Sequence, residues 1–101
     1  MAADLRLGIV GTDTSHVVAF TSALNDASSR NHIPGARVVA AYKGGTDLPV
    51  SANRVEKFAA ELQSKWGVEI VPDIATLCQQ VDGILLESVD GRIHLQEVKQ
   101  I

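Results

Sequence analysis

The residue types best suited to chemistry are concentrated in one stretch near the amino terminus, from Gly8 to His16. An apolar run that ends at Val10 predicts a buried strand, and Gly11 provides a tight turn after it. Thr14 or Ser15 can then cap a helix, whose first backbone N–H groups and partial positive charge favour a phosphate ligand. The stretch therefore predicts an anion-binding turn between a strand and a helix.

The dinucleotide-binding fingerprint, Gly-x-Gly-x-x-Gly, is matched only in part. Gly11 stands at its first position, Asp13 at the second and His16 at the third. A side chain at the second position obstructs the approach of a pyrophosphate to the backbone. A carboxylate there also repels the pyrophosphate, by roughly 3 kcal/mol at about 5 Å with an effective dielectric constant near 20. Cofactor binding at this turn is therefore a hypothesis that depends on Asp13.

A second set of polar residues follows another apolar run, Val81–Leu86. Glu87 ends this run, and Asp90 and His94 come shortly after it. If the two runs are strands on either side of a topological switch point, their loops share one crevice and can contact one ligand. A histidine beside a carboxylate could relay a proton or help to bind a metal, or the aspartates could only stabilise helix starts. Glu87 could bind a ribose or sugar hydroxyl, or only face water.

Alternating apolar patterns predict the elements that position these side chains. Strands are predicted at residues 5–10, 37–42, 68–71 and 81–87, and helices follow residues 15, 51, 73 and 93. The second helix has one apolar face, formed by Val55, Phe58, Ala59, Leu62 and Trp66, and ends at Gly67. In the last helix, Leu95, Val98 and Ile101 are predicted to face inward.

The order β-α-β-α-β-α-β-α predicts an α/β fold of the Rossmann type, a doubly wound parallel sheet in the spatial order 3-2-1-4. The 101 residues suffice for one domain over 1–101. The last helix is a crossover without a destination strand, and the fourth strand would form an open edge of the sheet. We therefore expect the N-terminal part of a longer protein, or a fragment that a partner completes.

Composition excludes several classes of function. The net charge of −3, with no cluster of Lys or Arg, argues against nucleic-acid binding. No apolar run approaches the length of a membrane span and no targeting signal is evident, which predicts a cytoplasmic protein. The single cysteine, Cys78, allows no internal disulfide and offers no thiolate pair for a metal, so core packing is its expected role. No spacing typical of metal ligands occurs in the sequence, so no metal site is predicted.

Several segments together resemble the N-terminal Rossmann domain of one enzyme family. They are Leu7–Gly11, the helix from His16, the strand Val38–Ala41, the sequence Lys65–Val68, the run Val81–Leu86, and His94 six residues after Ser88. The family is that of glucose-fructose oxidoreductase and inositol dehydrogenase, often called Gfo/Idh/MocA, and the resemblance covers nearly the whole chain. It implies an oxidoreductase that uses NAD or NADP to oxidise or reduce sugars, inositols or related polyols. A second α/β domain would carry most of the substrate site.

The resemblance also implies roles for particular residues. Lys43 ends the second strand, where NAD-preferring relatives have an acidic residue, so a 2′-phosphate and hence NADP would be favoured, unless Lys43 is only a solvated loop residue. The family's catalytic lysine, in a Glu-Lys-Pro motif, would lie beyond Ile101, so no catalytic residue is assigned. The residues predicted to bind the cofactor are Gly8, Gly11, Thr12, Asp13, Thr14, Ser15, His16, Lys43, Glu87 and His94.

Two alternatives remain open at the level of the sequence. The fold could be retained while the fingerprint has decayed, which would leave a non-catalytic Rossmann-like module for ligand binding or assembly. A small α/β domain could also form a homo-oligomer by pairing its open fourth strand with a copy of itself.

Overall fold

The computed structural model describes residues 5–28, 30, 32–44, 54–88 and 93–101. Strands and helices alternate along this part of the chain. They are β1 (Leu5–Val10), α1 (His16–Asn25), β2 (Ala36–Tyr42), α2 (Val55–Trp66), β3 (Glu69–Val71), α3 (Ile74–Gln80), β4 (Gly83–Leu86) and α4 (His94–Gln100).

The strands form one parallel sheet in the order β3-β2-β1-β4. This confirms the predicted Rossmann-like α/β fold and its strand order. β1 lies in the interior, and its last residue, Val10, is level with Tyr42 of β2 and Leu86 of β4. Because parallel strands run in one direction, the segments that follow these three strands meet at one edge of the sheet.

Two apolar clusters cover the two faces of the sheet. On one face, Ile9 of β1 packs with Val17 of α1 and Leu62 of α2. On the other face, Val10 packs with Ile74 and Leu77 of α3, and this cluster also contacts Cys78. Ile9 and Val10, which are adjacent in β1, thus face the helices on opposite sides of the sheet. This explains why the carboxyl end of β1 is apolar at consecutive positions and not only at alternate ones. Cys78 is half-buried and packs against the edge of this cluster, which agrees with its predicted packing role in part.

Two of the predicted helix boundaries depend on identifiable contacts. Asp73 caps α3, because its Oδ1 atom accepts a hydrogen bond of 2.7 Å from the Thr76 N–H. Gly67 ends α2 with φ +64°, in the left-handed region that favours glycine. The cap predicted at Ser51 lies outside the described residues.

The orientation predicted for the last helix is wrong. Leu95 and Val98 are 65% and 53% exposed, and Ile101, just after the helix, is 47% exposed, whereas Glu97 is only 5% exposed. Contacts of His94 and Glu97 with Ser88 hold α4 in this orientation. The apolar spacing correctly marked a face of the helix but carried no information about which face meets the sheet. The strand predicted at 81–87 is also shorter than expected, since β4 spans Gly83–Leu86.

Within the described ranges, no helix is both long and apolar enough to cross a membrane.

Candidate functional site

The candidate site is the carboxyl edge of the sheet, which we define as residues 11–16, 43–44 and 87–88, at the ends of β1, β2 and β4. The chain leaves β1 toward β2 on one side, whereas β4 is added on the other side. The point between β1 and β4 is therefore the topological switch point, where open α/β sheets bind their ligands. α4 also contacts this edge through its first turn.

Gly11 is required by both conformation and space. Its φ is +93°, a value that side chains strongly disfavour. A Cβ atom on Gly11 would lie 2.7 Å from the Cα atom of Ser88, so the turn after β1 and the end of β4 are in direct contact. Gly11 therefore sets the spacing between the two strand ends that flank the switch point.

The first two amides of the turn bind other parts of the protein. The Gly11 N–H donates to the Tyr42 carbonyl at 2.9 Å, and the Thr12 N–H donates to the Lys43 carbonyl at 3.0 Å. The fully buried Thr12 side chain also donates, through Oγ1, to the Val55 carbonyl at 2.9 Å. These groups attach the turn to β2 and α2, so Thr12 has a structural role and neither amide points to a ligand.

The start of α1 is built by Thr14 and leaves its neighbours at the surface. The Thr14 Oγ1 atom accepts a hydrogen bond of 3.3 Å from the His16 N–H, and the Thr14 carbonyl accepts one from the Val17 N–H. Ser15 and His16 are exposed. Ser15 is the N-cap residue but its side chain makes no capping hydrogen bond, and Thr14 before it supplies the side-chain acceptor at the helix start. Ser15 and His16 are accessible to a ligand.

Two carboxyl groups are buried where the carboxyl edge meets α4. Asp13 has no exposed surface, and Glu97 lies close enough for its pKa to respond to the Asp13 charge. The Glu97 Oε2 atom accepts a hydrogen bond of 3.1 Å from the Ser88 hydroxyl, while its Oε1 atom is buried without a hydrogen-bond partner among the described residues. Burial raises the pKa of Glu97 and the Asp13 charge adds to this effect, whereas the Ser88 hydrogen bond and His94 lower it.

His94 fixes α4 to the end of β4. Its Nε2 atom lies 2.5 Å from the Ser88 carbonyl oxygen. Because a carbonyl can only accept a hydrogen bond, Nε2 must carry the hydrogen in this contact. His94 is therefore next to the candidate site, as predicted, but this ring nitrogen is engaged by the backbone.

A second pair of titratable groups connects α1 with the end of β4. The His16 Nδ1 atom lies 3.9 Å from the Glu87 Oε2 atom, and the side chains are 70% and 15% exposed, respectively. Burial raises the pKa of Glu87, and His16 lowers it. The His16 ring also contacts the exposed Phe20, at 5.9 Å between ring centroids. The predicted meeting of the two polar sets at the switch point is found here.

Lys43 forms an exposed ion pair at the end of β2. Its Nζ atom lies 2.8 Å from Glu56 Oε1, and both side chains are exposed. Ion pairs of this kind stabilise a protein by only about 0–1 kcal/mol, because water and salt screen them. Lys43 can therefore exchange Glu56 for an anionic ligand at low cost.

One predicted binding residue lies apart from the carboxyl edge, and two residues at this edge were not among those predicted. Gly8 lies inside β1, where a Cβ atom would come within 2.8 Å of Leu77 Cδ1, so close packing against α3 explains this glycine. Ser88 and Glu97 join the carboxyl edge to α4, and the only signal for Ser88 was its place directly after an apolar strand. Asp90 lies outside the described residues.

Two further features concern ligand binding in the described ranges. A surface cavity of about 410 Å³ lies between α3, β4 and the end of α4, lined by Cys78, Val81, Asp82, Gly83, Ile84 and Ile101. It lies beside the start of β4, away from the carboxyl edge. Among the described residues, no group of three or more His, Cys, Asp or Glu side chains could hold a metal ion.

Comparison of the chain with protein-family models, curated proteins and solved structures found no match. The resemblance to the Gfo/Idh/MocA family therefore stays a prediction.

Proposed function

We propose that this chain is the nucleotide-binding domain of an NAD(P)-dependent oxidoreductase that acts on a sugar, an inositol or a related polyol. The observation that supports the proposal most is the position of Gly11. It directly follows an interior strand of a parallel sheet, lies against Ser88 after β4 at the switch point, and begins the turn that leads to α1. Dinucleotides bind at this position in sheets of this topology.

The residues present fit such a cofactor in part. The glycine turn and the exposed start of α1 suit a phosphate group, whereas the amides of Gly11 and Thr12 are engaged by β2. Lys43 is a cation at the end of β2 whose ion pair with Glu56 is exposed, which suits the 2′-phosphate of NADP better than the ribose of NAD. A bound nicotinamide would supply the hydride acceptor or donor, and no catalytic residue is assigned within residues 1–101.

The proposal is tested by thermal unfolding of the chain with increasing NADPH or NADH. A ligand that binds only the folded state raises the unfolding temperature, and the increase grows with the logarithm of the ligand concentration once that concentration exceeds Kd. We expect a larger increase with NADPH than with NADH, and we expect Lys43→Ala to abolish this difference. Lys65→Ala is the matched control, because Lys65 is also an exposed lysine in an ion pair, 3.0 Å from the half-buried Glu61 within α2. The absence of any shift at millimolar concentrations of both cofactors contradicts the proposal.

A second candidate function is favoured by the buried carboxyl groups. Asp13 and Glu97 are both buried beside the glycine turn, and negative charge there repels a diphosphate. The chain would then be a non-catalytic Rossmann-like module for ligand binding or assembly. The same titration of Asp13→Asn separates the candidates. Cofactor binding that appears only in the variant supports the second candidate, whereas binding by the unmodified chain supports the first.

A further inference from the structure

The helix α4 docks on the carboxyl edge through a polar face. It buries a carboxyl group and exposes its apolar residues, with Leu95 and Val98 more than half exposed and Glu97 only 5% exposed. Burial of apolar surface therefore contributes little to the docking of this helix. Its position depends instead on polar contacts, and these contacts are sensitive to charge.

We infer that α4 is a pH-sensitive latch, which rests on the carboxyl edge while Glu97 carries a proton and lifts from the edge when that proton is lost. The latch goes beyond the proposed function and does not depend on it, because it concerns the chain without any ligand.

The single hydrogen bond of Glu97 leaves a carboxylate with a much larger unmet need for donors than a neutral carboxyl group has. One oxygen, Oε2, accepts from the Ser88 hydroxyl at 3.1 Å, and the other, Oε1, is buried with no partner in the part of the chain that the structure describes. A carboxylate distributes its charge over both oxygens and needs several donors when it is removed from water. An ionised Glu97 would therefore carry a buried and incompletely compensated charge, which strongly disfavours the docked helix.

Among the residues that the structure describes, the groups around Glu97 do not supply the missing compensation. Asp13, in the turn after β1, is fully buried and raises the pKa of Glu97 through like-charge repulsion. His94, on α4 itself, lowers the pKa, but its Nε2 atom is engaged by the Ser88 carbonyl. From β2, Tyr42 approaches the same region beside Gly44. α3, which packs against α4, carries no charged residue, and its titratable group, Cys78, lies 3.9 Å from the Ile101 carbonyl.

The direction of the pH effect follows from these contacts. The pKa of Glu97 in the docked helix is raised above its usual value of 4.5, so docking is strongest at a pH below that value. Docking weakens as the pH rises through the pKa of the docked state, because the released helix binds the proton less tightly. For each unit by which docking raises the pKa of Glu97, the equilibrium constant for release of α4 from the carboxyl edge increases by up to roughly tenfold at high pH. Opening uncovers Gly11, Gly44 and Ser88 at the switch point.

Hydrogen–deuterium exchange of the intact chain, measured from about pH 5 to about pH 8 and corrected for the intrinsic pH dependence of exchange, tests this inference. We expect α4 to lose protection progressively as the pH rises. In the Glu97→Gln variant, the neutral amide keeps an acceptor for Ser88 and cannot ionise, so α4 should stay protected at every pH. Glu61→Gln is the control for the loss of one acidic residue, since Glu61 forms an ion pair with Lys65 on α2.

The latch is supported if α4 of the unmodified chain loses protection as the pH rises and the Glu97→Gln variant does not show this loss. The Glu61→Gln variant should show the same loss as the unmodified chain. Three outcomes overturn it: equal protection of α4 at both ends of the pH range, the same pH dependence in the Glu97→Gln variant, and a simultaneous loss of protection in α1 and α2. The last outcome would mean that the whole domain unfolds. Glu87, whose pKa is also raised, lies outside α4, so its titration does not account for an effect confined to that helix.

Discussion

At the scale of single residues, the candidate site depends on how closely the turn after β1 approaches the end of β4. Gly11 permits this approach, and the Ser88 hydroxyl then donates to Glu97 from the end of β4. The carboxylate at Asp13 is buried at the position where the dinucleotide fingerprint has a second glycine. The site therefore places buried carboxyl groups beside the exposed start of α1, and under the proposed function an anionic ligand would bind at that helix start despite them.

The contact of Gly11 with Ser88 leads to a prediction about stability. Gly11→Ala introduces both backbone strain and a Cβ atom that would overlap Ser88. Gly35→Ala is a matched control, because Gly35 has a similar φ of +100° but a Cβ atom added to it would meet no other atom within 4 Å. We expect Gly11→Ala to lower the free energy of unfolding by about 1–3 kcal/mol more than Gly35→Ala, as measured in urea. Equal losses in the two variants would show that Ser88 does not restrict the turn.

At the scale of elements, α4 differs most from the sequence-based expectation. The spacing of Leu95, Val98 and Ile101 predicted a buried face, because apolar residues at such spacing usually pack against a core. In the structure, Glu97 and His94 contact the end of β4 instead, and the apolar residues point outward. A pattern of residues identifies the faces of a helix, but the contacts of Ser88 decide which face docks.

The orientation of α4 is tested by replacing the same residue type in two helices. Leu95 is 65% exposed, so Leu95→Ala should change the free energy of unfolding by no more than about 0.5 kcal/mol. Leu62 of α2 is fully buried, so Leu62→Ala should cost about 2–5 kcal/mol. Chemical denaturation of the two variants gives both values. A cost for Leu95→Ala similar to that for Leu62→Ala would show that Leu95 is buried after all.

At the scale of the whole molecule, the sequence was sufficient to predict the fold but only part of the site. The alternation of elements requires parallel strands with crossovers, and the apolar carboxyl end of β1, at Ile9 and Val10, requires a layer on each face. Together these features predict the observed order. The meeting of His16 with Glu87 followed from the same topology. The burial of Glu97, the engagement of the Thr12 amide and the packing role of Gly8 depend on tertiary contacts that no local pattern contains.

The proposed function requires that a nucleotide binds at the carboxyl edge of the sheet. Hydrogen–deuterium exchange of the chain with and without saturating NADPH, at one fixed pH, is the sharpest test because it locates the ligand. We expect slower exchange at residues 13–17 and 87–88, with smaller changes in the remaining strands. Slower exchange confined to the cavity beside Cys78 and Ile101, or no change at millimolar NADPH, would refute nucleotide binding at this edge.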